Sequence, residues 1–345
     1  MIFDVDPRHK IIAGWLFVMV AMVFAMVVLG GVTRLTESGL SMVEWRPVTG
    51  WFPPMNEAEW LAVFAKYQQS PEFHKVNAHM DVHDFKSIFW MEYLHRLWGR
   101  IIGIVFAVPF AFFMIKKWLD RDLTIKLTLM FVLGGLQGLM GWYMVKSGLV
   151  DRPDVSQYRL TAHFGLALVI IAYMEWVALG LLYPDTGEGT GGLRRYSVLI
   201  ACVTFVTALS GGFVAGLDAG FAYNTFPLMD GALIPNGLYS LSPWIRSAFE
   251  DILTVQFNHR VLAISLLILI GLFWLKARYF VLQPRPRRAI NFLFAVVIAQ
   301  ALLGITTLLL VIPIPLAVAH QAGAVIVFMA ALRVAREMQS SARSV

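Results

Sequence analysis

The stretch MEYLHRLWGR places residues that can do acid–base and metal chemistry inside an otherwise apolar run. Glu92, His95 and Arg96 stand there together, although each is costly to place in hydrocarbon. A second stretch, VQFNHRVLAI, repeats the histidine–arginine pair as His259 and Arg260 but has a glutamine where the first has the glutamate. A glutamate can take up a proton and a glutamine cannot. The chain therefore repeats an element with one chemical difference.

Two further histidines, His163 and His320, lie in later apolar runs in matching order. With His95 and His259 they form two pairs, each residue expected about 8–12 Å into the membrane from its outer edge at 1.5 Å per residue. A single intramembrane histidine is explained by an interhelical hydrogen bond. Two opposed imidazoles in one helical bundle are instead the axial ligand set of a heme iron, whereas bare zinc or copper requires further ligands. The matched pairs favour heme.

The charged neighbours of the histidines leave alternatives open. Glu92 lies one helical turn before His95 on the same face, so it is either a base beside a bound substrate or the ion-pair partner of Arg96 or Arg100. Arg96 and Arg260 either bind heme propionates or reach toward lipid headgroups.

The composition indicates a membrane protein that crosses the bilayer many times. Of 345 residues, 58% are hydrophobic, and the mean hydropathy is +0.68. Runs of about 20 apolar residues span a bilayer, and they predict eight spans near residues 11–31, 88–115, 125–146, 159–182, 196–217, 252–276, 289–311 and 315–333. The net charge of +6 does not indicate nucleic acid, because Lys and Arg cluster at alternate span ends. This asymmetry predicts cytoplasmic termini. The first span runs through Gly30 and Gly31 into a polar loop without a small-residue cleavage site, and no Arg/Ser-rich transit segment precedes it, which predicts an uncleaved bacterial inner-membrane protein.

The order of the motifs indicates an internal duplication of four spans. The predicted fold is all-α, with two tandem four-helix bundles related by a pseudo-twofold axis. The expected domains are residues 1–183, a cytoplasmic linker at 184–194, and residues 195–345. A long external loop at 32–86 is expected to form short amphipathic helices.

Other reactive side chains have simpler interpretations. His74, His79 and His83 lie in the external loop, where a solvated helix is the alternative to a surface metal site. Cys202 is expected to be a small buried packing residue rather than a reactive thiol. Glycines at 134, 135, 138 and 141 either support close helix packing or admit an apolar tail.

The chain resembles the heme A synthase family over almost its whole length. The resemblance is carried by GG-V-T-R-L-T-x-S-G-L-S at 30–41, E-Y-L-H-R at 92–96, L-x-G-L-x-G-W at 136–142, T-A-H at 161–163, N-x-x-P-x-M-x-G at 224–231, N-H-R at 258–260 and A-H-Q at 319–321. Some members carry a cysteine pair in the first external loop. This chain has none there, so it is similar to the proteobacterial and mitochondrial type.

The resemblance implies oxidation of the C8 methyl group of heme O to a formyl group. It implies that His259 and His320 hold heme b as a cofactor, that His95 and His163 flank the substrate heme, and that Glu92 is catalytic. It also implies that heme O synthase and cytochrome oxidase assembly factors are partners. The protein is expected to lie in the lipid bilayer, to bind no nucleic acid, and to have the option of forming a homo-oligomer. Because a bis-histidine iron offers dioxygen no vacant site, water is the expected oxygen source. A diheme electron-transfer cytochrome and a transporter are the alternatives.

Overall fold

The computed structural model describes residues 5–46, 49–148, 155–183 and 191–339. The described residues contain no β-strand, only an isolated bridge between Met229 and Ala232. The helices are α1 Pro7–Leu35, α2 Glu57–Tyr67, α3 Val82–Ile115, α4 Arg121–Gly148, α5 Gln157–Leu182, α6 Gly191–Gly216, α7 Ser247–Glu250, α8 Ile252–Ala277, α9 Pro284–Leu309 and α10 Ile314–Glu337.

All helices except α2 and α7 are long and apolar enough to cross a membrane, which confirms the eight predicted spans and the all-α membrane fold. Seven of these helices begin within five residues of the predicted span. The exception among the starts is α3, which begins at Val82 because Asp81 caps it. The Asp81 carboxylate accepts the backbone N–H groups of His83 at 2.7 Å and Asp84 at 2.9 Å, so the helix extends out of the span into the external segment.

Two compact units divide the chain: Ala21–Ala167, and Met1–Val20 together with Leu168–Val345. The division cuts through α1 and α5, while the predicted linker at 184–194 falls partly on residues 184–190, outside the described residues. From Gly191 onward the chain is already α6. The domain boundaries and the duplication therefore stay predictions.

Aromatic side chains fix α2 on the N-terminal part of α3, within the first unit. Tyr67 stacks on Phe85 with ring centroids 5.0 Å apart, and Trp60 meets Phe89 edge to face at 5.0 Å. Such pairs add about 0.5–1.5 kcal/mol each beyond the burial of their area. The predicted short helix in the external loop is thus present, and its packing holds the loop against the part of α3 that carries Glu92.

The core of the second unit is built by α6, α8, α9 and α10. Its fully buried members include Leu193, Ile200, Leu293 and Val334. Cys202 does not join this core: its side chain is exposed on α6, which corrects the expectation of a buried packing residue. A single cysteine in an apolar helix gives no indication of which face it occupies.

Candidate functional site

The first histidine pair, His95 and His163, lies inside the unit Ala21–Ala167 and is seated on glycines. A methyl group at Gly30 of α1 would lie 3.1 Å from Cε1 of His95, and one at Gly141 of α4 would lie 3.2 Å from Cε1 of His163. Both contacts are tighter than an ordinary van der Waals approach. Each imidazole therefore rests in a space that a larger residue would fill.

The second histidine pair, His259 and His320, repeats this seating within the other unit. A methyl group at Gly211 of α6 would lie 3.2 Å from Cε1 of His259. At Gly304 of α9 the corresponding distance to Cε1 of His320 is only 2.6 Å. His259 and His320 each lie within the first two turns of their helices. The shared depth of the four histidines stays a prediction.

Polar partners orient both rings of the second pair. Nδ1 of His259 is 2.7 Å from Oγ of Ser210, whose hydroxyl donates to the carbonyl of Thr207 at 2.7 Å. With its single proton committed there, Ser210 accepts a bond from Nδ1–H, which leaves Nε2 with the lone pair that a metal requires. Nε2 of Gln300 donates to the His320 carbonyl at 2.8 Å and lies 3.1 Å from Nδ1 of His320. Because this amide nitrogen is a donor, the contact positions the ring without selecting the tautomer that leaves the ring Nε2 free, as the Ser210 bond does for His259.

The first pair lacks such partners within the described residues. Nδ1 of His95 and Nδ1 of His163 are both buried without a hydrogen bond there. The residue before Gly30 is Leu29, where the second half has Ser210. Gln137 donates to the His163 carbonyl at 3.0 Å but does not reach the ring, unlike Gln300. The two pairs thus share their seats and differ in what orients them.

Glu92 is buried on α3 with both carboxylate oxygens bound. Oε2 accepts the hydroxyl of Ser41 at 2.7 Å and the backbone N–H of Met42 at 2.7 Å. Oε1 forms an ion pair with Arg96. Only 3% of Glu92 is exposed, so these donors replace solvation by water.

Arg96 ties the loop after α1 to α3. Its Nη1 donates to the carbonyl of Glu44 at 2.8 Å and its Nη2 to that of Met42 at 2.9 Å, while the guanidinium lies 5.0 Å from the ring centroid of Trp45. Arg100 reaches the same loop one turn further on, donating to the Arg46 carbonyl at 2.7 Å. Of the two ion pairs predicted for Glu92, the pair with Arg96 is present.

The second unit contains a neutral version of this arrangement. Oε1 of Gln256 accepts from Arg260 at 2.7 Å, and Arg260 also donates to the carbonyls of Tyr223 at 2.6 Å and Thr225 at 2.8 Å. Nε of Arg260 is buried without a hydrogen-bond partner among the described residues. Most of the hydrogen bonds that the guanidinium groups of Arg96 and Arg260 donate within the described residues go to loop carbonyls. Binding of heme propionates by these two arginines therefore stays a prediction.

Charged and polar groups outside the spans stabilise the external loop. The Lys66 ammonium bonded to Glu44 holds the pKa of that carboxyl below its ordinary value. Burial raises the pKa of the Tyr67 phenol, although Asn77 donates to it at 2.7 Å. His74, His79 and His83 are exposed, and no group of three or more His, Cys, Asp or Glu in the described part of the chain is arranged to hold a metal ion.

Several residues of these sites were not assigned a role from sequence. Gln137 and Gln300 stand at matching positions in LQGLMG and AQALLG, and Ser41 is the last residue of the family-like motif at 30–41. The matching sequence segments drew attention to the two glutamines, but their contacts with the histidines can be seen only in the folded structure. Ser210 had no signal beyond its place before a glycine pair.

The donor sets and their surroundings fit heme. Each pair supplies two imidazoles from different helices, seated on glycines within one compact unit. Neutral nitrogen ligands in a helical bundle suit heme iron. In the second pair the Ser210 contact also fixes the ring orientation that a permanent ligand requires.

Comparison with known proteins places the chain in a family. The family described as cytochrome oxidase assembly protein, COX15-CtaA, matches residues 13–332. The chain belongs to the COX15-CtaA family. Among members of this family, a protein named heme A synthase from Nitrosospira multiformis is 55% identical over 335 residues, covering 96% of this chain and 94% of the relative. The bovine protein named heme A synthase COX15 is 44% identical over 341 residues, covering 96% of this chain and 83% of the relative.

Proposed function

We propose that the chain is a heme A synthase, which oxidises the C8 methyl group of heme O to a formyl group through hydroxylated intermediates. The names of relatives that align over almost the whole chain support this function. The observation that carries it is the buried carboxylate of Glu92, three residues before His95, at a position where the second half has Gln256. A two-heme bundle protein built only to carry electrons has no use for a proton acceptor at one heme alone.

The two histidine pairs take different roles in this proposal. His259 and His320 hold heme b, because Ser210 accepts a hydrogen bond from Nδ1–H of His259, and a bond of this kind orients a permanent ligand. His95 and His163 flank heme O, a substrate that must enter and leave. Their Nδ1 atoms have no orienting bond among the described residues, which suits weaker and reversible ligation.

Glu92 acts as the base. Conversion of a methyl group and water to a hydroxymethyl group releases two protons and two electrons, and a second round gives the aldehyde hydrate, which loses water. Glu92 takes a proton from the methyl group or the attacking water. Bound heme b would supply one-electron redox chemistry for carrying away the released electrons. Water is the oxygen source in this scheme, because two histidine ligands leave the substrate iron no vacant position for dioxygen.

The proposed setting is the bacterial inner membrane with both termini in the cytoplasm. The histidine ends of α3, α5, α8 and α10 then lie toward the outer face. The matched glycine, glutamine and arginine contacts of the two halves support two tandem four-helix bundles, residues 1–183 and 195–345, that arose by duplication. A heme O synthase and cytochrome oxidase assembly factors are the expected partners, and a homo-oligomer is compatible with this proposal.

Pigment extraction from the purified protein tests the function. The proposal predicts heme b together with heme O or heme A when heme O is supplied, and additional heme A after turnover. Heme b alone, with heme O unbound and unchanged, would instead support an electron-transfer cytochrome. The His259→Ala variant controls for which pigment belongs to which pair, since it is expected to lose heme b first.

A further inference from the structure

The loop after α1 provides two of the donors that hold Glu92. The Ser41 hydroxyl is 2.7 Å from Oε2 of Glu92 but 3.3 Å from the Ile88 carbonyl, so its single proton goes to the carboxylate. Ser41 is 1% exposed, and the Met42 N–H binds the same oxygen. An ionised carboxylate only accepts hydrogen bonds, and this loop offers it only donors.

The corresponding loop of the second half has the same turn. Glu37 and Asp218 occupy matching positions after the two glycine pairs, and both adopt the left-handed region with φ of 51° and 52°. Few non-glycine residues adopt this conformation, so its occurrence at both positions indicates an equivalent backbone path. The residues from each turn as far as Ser41 and Ala222 can therefore be compared one to one; beyond them the backbones differ, since Tyr223 has a φ of 52°.

That comparison shows the donors exchanged for acceptors. Ala222 stands where the first half has Ser41, and its backbone carbonyl accepts from Nε2 of Gln256 at 2.5 Å. The carbonyl of Ala219 accepts from the same nitrogen at 2.6 Å. The loop thus offers carbonyl oxygens to an amide in one half, and a hydroxyl and an N–H group to a carboxylate in the other. The side chain on the helix and the hydrogen-bonding groups of the loop therefore change together between the two halves. A serine that only stabilised its own loop would not require this match.

We propose that Ser41 is a positioning residue for the reaction, which acts by holding Glu92 as an oriented, ionised carboxylate. The inference rests on the proposed function. In the proton-transfer step, an O–H bond forms on the Glu92 carboxylate while a C–H or O–H bond of the substrate methyl group or water breaks. Ser41 keeps its own proton throughout and fixes the rotamer in which that transfer occurs.

A double-mutant cycle tests this role. Ser41→Ala, Glu92→Gln and the double variant are purified, and conversion of heme O is measured per folded molecule. Ser41→Ala is expected to lower turnover on the order of 10-fold, the scale for loss of a hydrogen bond to a charged group, and to cause no further loss in the Glu92→Gln background. Ser38→Ala is the matched control, because Ser38 is a buried serine of the same loop whose hydroxyl binds Thr36.

A readout independent of turnover is the infrared carboxylate band of Glu92, assigned by its absence in Glu92→Gln. The proposal predicts that Ser41→Ala shifts this band and that Ser38→Ala does not. Ser41→Cys, with a weaker donor of similar size, is expected to fall between the parent and Ser41→Ala and serves if the alanine variant does not fold.

The outcomes separate this inference from the function on which it rests. An equal loss from Ser41→Ala in both backgrounds, or an unchanged carboxylate band, overturns the role of Ser41 while the catalytic base stands. Normal turnover in Glu92→Gln overturns the base, and with it the inference about Ser41.

Discussion

A methyl group at Gly304 would lie 2.6 Å from Cε1 of His320, nearer than carbon atoms approach without displacement of one of them. The Gly304→Ala variant is therefore expected to push the ring from its seat and to reduce bound low-spin heme b substantially. Gly211→Ala should have a smaller effect, since its methyl group would be 3.2 Å from His259. The heme-to-protein ratio and the absorption spectrum of purified variants measure both.

Gly138→Ala is the matched control, because nothing lies within 4 Å of its added methyl group. An alanine there is expected to keep the heme content and to favour the helix by up to about 1 kcal/mol. Equal heme loss in the Gly138 and Gly304 variants would show that helix distortion, rather than contact with His320, is responsible.

Removal of either second-pair ligand tests the assignment of heme b. His259→Ala and His320→Ala each leave the iron one axial ligand short, so the low-spin spectrum should disappear. His74→Ala, in the exposed part of the external loop, is expected to leave the spectrum unchanged. An unaltered low-spin spectrum in both ligand variants would contradict the assignment.

Ser210→Ala separates orientation from ligation. Without the contact to Nδ1 of His259, the ring is still present but its orientation is less fixed, and heme b affinity is expected to fall about 10- to 100-fold. A shift in the heme b reduction potential should accompany the loss. Heme titration and a redox titration measure the two effects, and no change in either would assign Ser210 a packing role only.

The sequence predicted the spans well, because the hydropathy that defines them is carried by the chain itself. The sequence left open whether Glu92 pairs with Arg96 or Arg100; the pair with Arg96, four residues away on the same helix face, is present. The sequence did not predict the start of α3, because the Asp81 capping box lies in a polar segment that hydropathy does not detect.

Contacts between distant segments were beyond the sequence. Ser41 meets Glu92 across 51 positions, and this contact depends on how the loop folds onto α3. Cys202 was expected to be buried but its side chain is exposed. Almost every neighbour on α6 is apolar, so the hydrophobic pattern does not distinguish the buried face of this helix from the exposed one. The contact between Ser210 and His259 requires α6 and α8 to pack in register, which periodicity does not specify.

Membrane orientation can be tested by fusion. Lys and Arg cluster at the span ends that are predicted to be cytoplasmic, so the C-terminus is expected in the cytoplasm. A reporter that works in the cytoplasm should be active when it is fused after Val345, and a reporter that works only in the periplasm should be inactive there. Reporters inserted in the loops at 32–86 and 218–250 should show the opposite behaviour. A periplasmic C-terminus would reverse the orientation and put the histidine ends of the helices on the inner side.

The central claim is that Glu92 is a proton acceptor and not only the ion-pair partner of Arg96. Glu92→Gln keeps the size of the side chain and makes this position match Gln256 of the second half. The most direct measurement is heme A formed from heme O per folded molecule of this variant, with heme b content as the control for folding. For Glu92→Gln we expect an unchanged heme b content, a fall in heme A formation of about 10²-fold or more, and accumulation of heme O or its hydroxylated form. Normal heme A formation, with any loss confined to yield or thermal stability, would contradict it and leave Glu92 a structural partner of Arg96.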